Sequence, residues 1–288
     1  MQGEKRMKER KTITYIKNGE KITKEYYILT RNKLLNDLFK KPYYQTGSQE
    51  VYSINEDIEY LSMTNITFPK NIKMVIPEES TVELNNCTFQ GESMCYIGGN
   101  IVLNNPNINP DNYTNRVYLN NTNDANIVID SNNRGFISIT GSSKNFFIKA
   151  NNRIETIYLT ADKATLQDIY DIKSLKLITK NATIKNCSFK INLDNQSQNI
   201  KTDTLDIENS NLYYMTDELS KDYEIIKADE IVLRRSTIDT NNQVTIIANS
   251  TMIDKDSILK VKNYKQKSVE ETLPKRRVRK IPKENIRR

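Results

Sequence analysis

The chain has 288 residues, 37% hydrophobic and 27% charged, the balance of an ordinary globular protein. It contains no histidine and no tryptophan. That excludes Ser-His-Asp and Cys-His nucleophiles and His-rich zinc sites, and it removes the preferred platform for sugar stacking, a role left to the 16 tyrosines. The net charge of +7 is divided: residues 1–49 carry +7, residues 50–270 carry −6 and residues 271–288 carry +6, so an acidic body lies between two basic ends.

The start, Met1 to Lys11, is charged throughout and offers no apolar core for a secretory signal. No stretch approaches the roughly 18 uncharged apolar residues of a membrane span. The expected location is the cytoplasm or a virion.

The first ordered element is a hairpin. Thr12-Ile-Thr-Tyr-Ile-Lys17 and Glu20 to Leu29 flank Asn18-Gly19, the strongest short hairpin signal, because a type I′ turn needs positive φ at both central residues. Next, Leu34, Leu35, Leu38 and Phe39 fall on one helical face before Pro42. This predicts a helix over 31–41 that caps the core of the adjoining β domain.

From about residue 60 short alternating apolar strands are separated by polar bends. Examples are Ile72-Lys-Met-Val-Ile76, Asn100-Ile-Val-Leu103, Arg116-Val-Tyr-Leu119, Phe136-Ile-Ser-Ile139 and Thr156-Ile-Tyr-Leu159. One longer phrase recurs: apolar-x-apolar, bend residues, a small residue, any residue, apolar. It reads Val82-Glu-Leu-Asn-Asn-Cys-Thr-Phe89 and Ala182-Thr-Ile-Lys-Asn-Cys-Ser-Phe189, and more loosely at Leu61–Phe68, Leu205–Leu212, Ile231–Ile238 and Val244–Met252. A repeat of roughly 20 to 25 residues signals a solenoid in which alternate apolar residues point into the coil. Val82, Leu84, Phe89, Ile184, Phe189, Leu205 and Ile207 are the expected core. Segment 164–172 reads as a short helical excursion. The small residue is expected where space is short, and the Asn pairs at 85–86, 104–105, 120–121, 132–133 and 151–152 are expected to stack partly as amide ladders. Asparagine occurs 36 times. Part of that number fits an AT-rich coding bias, and part fits tight bends, where Asn tolerates the left-handed region.

Asn86-Cys-Thr-Phe89 and Asn186-Cys-Ser-Phe189 resemble the coil phrase of the pectin-lyase-like right-handed parallel β-helix superfamily. The resemblance implies an all-β fold: a hairpin and capping helix over 1–54, a parallel β-helix over 55–265, and a basic, disordered tail over 266–288. It leaves function open, because this fold carries lyases, hydrolases, tailspikes and adhesins.

Family catalytic positions are not matched. The sharpest enzymatic reading places paired carboxylates or a basic residue on the outer face of the coil. Its candidates are Asp124, Asp130, Glu155 and Asp162, with Arg134, Lys149 and Arg153. Asn132-Asn-Arg134 and Asn151-Asn-Arg153 repeat at 19 residues, so Arg134 and Arg153, with Asp130 and Asp162, form the candidate ligand site. Against this stands the reading that they are solvated, ion-paired bend residues. Lys275, Arg276, Arg277, Arg279 and Lys280 suit salt-sensitive contact with a polyanion, or a solubilising tail. Cys87, Cys95 and Cys187 read as reduced, packed thiols. The Asn-x-Ser/Thr sequons read as bend chemistry. No cofactor and no metal are expected. The favoured reading is a non-enzymatic structural or binding β-helix, a phage particle component or surface-recognition protein whose partner is a protein or glycan surface, with a homo-oligomer left open. The alternatives are a carbohydrate-active lyase or hydrolase and a polyanion binder.

Overall fold

In a computed structural model, Asn18 and Gly19 both sit at positive φ, 51° and 73°, and close the turn between β1 (Lys11–Lys17) and β2 (Glu20–Tyr26). The structure describes residues 11–26, 39–40, 45–46, 49–68, 72–90, 92–108, 116–121, 125–130, 136–151, 153–192, 200–215, 223–240, 244–261 and 263–266. Strands β3 (Phe39–Lys40) and β4 (Gln45–Thr46) pair antiparallel with β5 (Gln49–Ile54), and β1 pairs antiparallel with β6 (Ile58–Thr64). Apart from these and the antiparallel β1–β2 hairpin, every pairing among the described strands is parallel, and the chain winds as a β-solenoid of about 8 turns. The resemblance to a parallel β-helix therefore holds at the level of fold.

Each coil has up to three sides. The coil after the first consists of β7 (Lys73–Ile76), β8 (Thr81–Asn85) and β9 (Thr88–Phe89). Then come β10 (Glu92–Ile97), β11 (Asn100–Asn104) and β12 (Asn107–Ile108), followed by β13 (Arg116–Asn121) and β14 (Ala125–Asp130). In these early coils, sides one and two are separate strands joined at a tight corner. Gly98 and Gly99 form one such corner, and a methyl on Gly99 would overlap the carbonyl oxygens of Pro77, Glu78 and Ser80 in the coil beneath. From β15 (Phe136–Ala150) onward the two sides merge into single long strands: β16 (Arg153–Gln167), β17 (Asp171–Lys185), β19 (Ile200–Glu208), β21 (Tyr223–Arg234) and β23 (Val244–Ile253). Side three of these later coils is β18 (Ser188–Asn192), β20 (Asn211–Met215), β22 (Thr237–Thr240) and β24 (Ile258–Lys260), and β25 (Asn263–Gln266) ends the stack.

Backbone register sorts the core into columns. Val82, Ile101, Ile127, Ile148, Leu166, Ile184, Ile207 and Leu233 lie one above another and are all buried. All seven residues expected inside are buried, and the Phe68 and Phe89 rings stack at 5.1 Å. Burying such a column removes apolar surface on both neighbours of every residue, at about 25 cal/mol per Å².

Two expectations are corrected. Residues 31–38 of the expected capping helix lie outside the described residues, and Phe39–Lys40 is a strand that satisfies its backbone against Ser53 and Ile54. No helix occurs among the described residues, and the upper end is closed by antiparallel strands. Their buried Ile13 and Tyr15 cover the core, while the outer strand carries exposed Glu20 and Lys21. The supposed helical excursion is β16, a turn at Asp168 with φ 59°, and the start of β17. The tail, 267–288, lies outside the described residues.

Candidate functional site

The bend between sides two and three is built the same way in coil after coil. Asn65, Asn86, Asn105, Asp168, Asn186, Asn209 and Arg235 all adopt φ between 48° and 59°. Asn and Asp pay least for this conformation because their short side chains bond locally. The next residue turns inward, and in the later coils it forms a buried ladder. Ser210 Oγ accepts from the Cys187 N–H at 2.9 Å, Ser236 Oγ from the Ser210 N–H at 3.1 Å, and Ser257 Oγ from the Ser236 N–H at 3.0 Å. Ser210 and Ser236 donate in turn to the carbonyls of Glu208 and Arg234, each at 2.7 Å. The small residue is therefore a hydrogen-bonding rung as well as a space-saver. The amide ladder expected at 85–86 and 104–105 forms: Asn104 Nδ2 donates to Asn85 Oδ1 at 2.7 Å, and Asn105 Nδ2 to Asn86 Oδ1 at 3.0 Å.

The sequence-derived candidates occupy different places on the coil. Asp130 ends β14 on side two and accepts from Asn151 Nδ2. Asp162 stands at the corner between sides one and two of β16, paired with Lys180 Nζ at 2.8 Å. Arg153 begins side one, its backbone in register with Asp171. Arg134 lies outside the described residues, as do Asp124, Lys275, Arg276, Arg277, Arg279 and Lys280. Between β15 and β16 the coil step is set by Ser138 opposite Thr156, one residue short of the 19-residue spacing that suggested stacked arginines. Glu155 meets Lys173 at 3.6 Å, and Lys149 meets Asp168 at 3.6 Å. Burial pulls the Asp168 carboxyl upward, but hydrogen bonds from Asn186 and Gln167 and the nearby Lys149 outweigh it and hold the group below its ordinary range. On the later coils Lys185 and Arg235 share Glu208, at 3.2 and 3.4 Å, and Arg234 grips Asp206. These pairs join neighbouring coils. No group of three or more His, Cys, Asp or Glu side chains that could hold a metal occurs among the described residues. The three thiols are free, buried, and pushed up by burial to about 12.

The feature that stands out is the outer face of side one. Register places Lys73, Met94, Tyr118, Ser138, Thr156 and Ser174 in one column, and Val75, Tyr96, Asn120, Thr140, Tyr158 and Lys176 in the next. Between them runs the buried column Met74, Cys95, Leu119, Ile139, Ile157 and Leu175, which fixes the alternation. Across six strands these two columns hold no carboxylate, and their only charges, Lys73 and Lys176, lie at the ends. Tyr158 is half-buried and its hydroxyl bonds Ser174 Oγ on the next coil at 2.9 Å, which ties the ring down along the face. The strip measures about 24 Å along the axis, five steps of about 4.8 Å. Two ion pairs bound it: Glu155–Lys173 at one corner and Asp162–Lys180 at the other.

Sequence reasoning missed Tyr118 and Tyr158 as site residues, although the signal was present: each is the central residue of an apolar-x-apolar triplet, the position that must point outward. No protein-family model, no curated protein and no solved structure matches this chain.

Proposed function

We propose that this protein is a non-enzymatic β-helix, right-handed in its coil, whose rigid body serves a structural or binding role as a phage particle component or a surface-recognition protein. One observation carries the reading: two columns rich in Tyr, Ser, Thr and Asn on side one, free of carboxylates and with lysines only at their ends, laid out in register over six strands. Hydroxyls and amides on a pleated surface present donors and acceptors at fixed spacing, and tyrosine adds flat apolar area at low entropic cost. The carboxylates bordering the strip are engaged with lysines of the neighbouring coil, which suits staples between coils better than proton transfer. The partner is a protein or glycan surface, and the proposed setting is the cytoplasm or a virion. The test is a panel of acidic and neutral polysaccharides incubated with the protein, with and without calcium. No new reducing ends and no ultraviolet absorbance from unsaturated uronates are expected. Turnover that is lost on changing Asp130 or Arg153 would replace this reading with a carbohydrate-active enzyme.

A second reading rests on charge segregation: the +6 of residues 271–288 beside a body of −6. Lys275–Lys280 would give weak polyanion binding that falls steeply with salt. Retention on heparin that does not change between low and high salt would count against it.

A further inference from the structure

We infer that this chain stacks head to tail with copies of itself, the C-terminal end of one solenoid docking on the hairpin of the next; the inference is independent of the strip on side one. The two ends are finished differently. At the N-terminal end the hairpin buries Ile13 and Tyr15. At the C-terminal end β25 lies beneath Thr245–Ala248 only, and among the described residues no strand lies beneath Met252, Ile253 or β24. Met252, Ile253 and Ile258 are 54%, 45% and 56% exposed, three of the six large apolar side chains exposed among the described residues. An apolar strand edge of this kind is a template for another strand.

The chain's own continuation does not suit that edge. β25 sets Asn263 beneath Thr245 and Gln266 beneath Ala248, an offset of 18 residues that, carried on, puts Glu271 beneath Ile253. Ile253 ends the core column that runs through Val82 and Leu233, and a carboxylate in that column is costly. A second copy suits it. The same column passes upward through Leu61 and Tyr15 to Ile22, so stacking sets half-buried Ile22 against Ile253 and continues the column into the next molecule.

Polarity and shape agree. β1 is antiparallel to β6 and β2 antiparallel to β1, so β2 points the same way as the coil strands and offers the end of β23 a parallel partner. On side one, β3 and β4 add one strand above β5, and β25 adds one below β23. On side two, β1 and β2 add two above β6, and no described strand is added below Ile253. Two stacked copies are therefore separated by two strands on either side, and the steps at the two ends interlock. Such a contact is heterologous and leaves a free end after every addition, so growth does not stop at a dimer. Charge sets the conditions. Residues 1–49 carry +7 and residues 271–288 carry +6, so stacking brings basic ends together, and salt that screens them favours assembly. Exposed Glu20 and Lys21 on β2 restrain the contact to high chain concentration.

The experiment is sedimentation velocity of the full chain from about 10 µM to about 1 mM, in low salt and in about 0.5 M salt. The average sedimentation coefficient is expected to rise with concentration past that of a dimer, and more steeply in high salt. Ile22→Lys and Ile253→Lys, each spoiling one end, should stay monomeric alone. Their equimolar mixture keeps one intact junction and should stop at a dimer. Ile178→Lys, at an exposed apolar residue of β17 far from both ends, should assemble like the parent. Melting temperatures check the fold; where a lysine lowers one, Ile22→Thr and Ile253→Thr, which suit a strand, take its place. A parent chain that is monomeric throughout, a parent plateau at the dimer, self-association of either end variant alone, or equal loss on Ile178→Lys would each overturn the inference.

Discussion

Early and late coils hold one backbone geometry with a shared amide ladder and different added support. In the early coils the bends at Asn65, Asn86 and Asn105 are held by side-chain amides on the surface, and sides one and two meet at tight corners that include Gly98 and Gly99. In the late coils the surface amides continue, Asn209 to Asn186 at 3.3 Å and Asn186 to Asp168 at 3.0 Å, but the bends gain a hydroxyl ladder behind them and ion pairs outside, and the corner is absorbed into one long bent strand. The shared element is the left-handed backbone residue, whose N–H reaches the next coil's carbonyl: Asn86 to Asn104 at 2.8 Å early, Asn209 to Arg234 at 2.9 Å late. Parallel coil stacking therefore demands the turn, and the side chains that stabilise it are interchangeable.

That comparison can be broken, most sharply through the thiols. Cys87 and Cys187 hold the same place in early and late bends, and burial pushes both up from 9.0 to about 12. Near neutral pH the thiolate fraction should fall roughly a thousandfold below that of an unburied thiol. Labelling at both should wait for unfolding, and fast labelling of one alone would show that the two bends differ. Next in size is Gly99→Ala, which should cost about 3 kcal/mol in urea denaturation because the methyl meets backbone carbonyls that cannot move aside. A near-neutral result would mean the early corner is looser than the late one.

The ladders allow a paired test. Ser236→Ala strands the buried Ser210 N–H and should cost about 2 kcal/mol, whereas Asn104→Ala, on the half-buried amide rung, should cost about 1 kcal/mol. Equal losses would erase the distinction between inner and outer support. Arg235→Asn should stabilise by about 0.5 kcal/mol, since Asn suits φ 49° better and the exposed pair with Glu208 contributes little. A loss would show that the late ion pairs matter more than their exposure suggests.

The smallest effect is acidic. Asp168, and Asp254 through its hydrogen bond from Ser257, are held below their ordinary range. A depressed folded value means the native state favours the ionised form. That stability is present above the unfolded carboxylate value of about 3.9 and is lost as pH falls through the lower folded value. Asp168→Asn should flatten the acid limb below about pH 4, followed by fluorescence at fixed urea.

Much of the fold was legible because its signals are local. Asn18-Gly19 announced a hairpin, and Val82-Glu-Leu84 and Ala182-Thr-Ile184 announced inward alternation, all within a few residues. Errors came where the period resets. Leu166, Ile169 and Ile172 show apolar spacings of three that mimic a helix, because the bend at Asp168 shifts the alternation by one. The strip was invisible for a related reason. Cys95 pairs with Leu119, Leu119 with Ile139 and Ile139 with Ile157, so the step shrinks from coil to coil and no fixed interval links Tyr118 to Tyr158. Only backbone pairing aligns them.

The antiparallel contact of β1 with β6 has a bearing on synthesis. Ile13 finds its partner at Met63, and each later described coil lands on the one made before it. Both strands of the closing hairpin precede β6 in the chain, and each new turn follows the one on which it stacks. Growth can thus run from the N-terminal side as the ribosome advances, with no strand waiting on residues yet to be made.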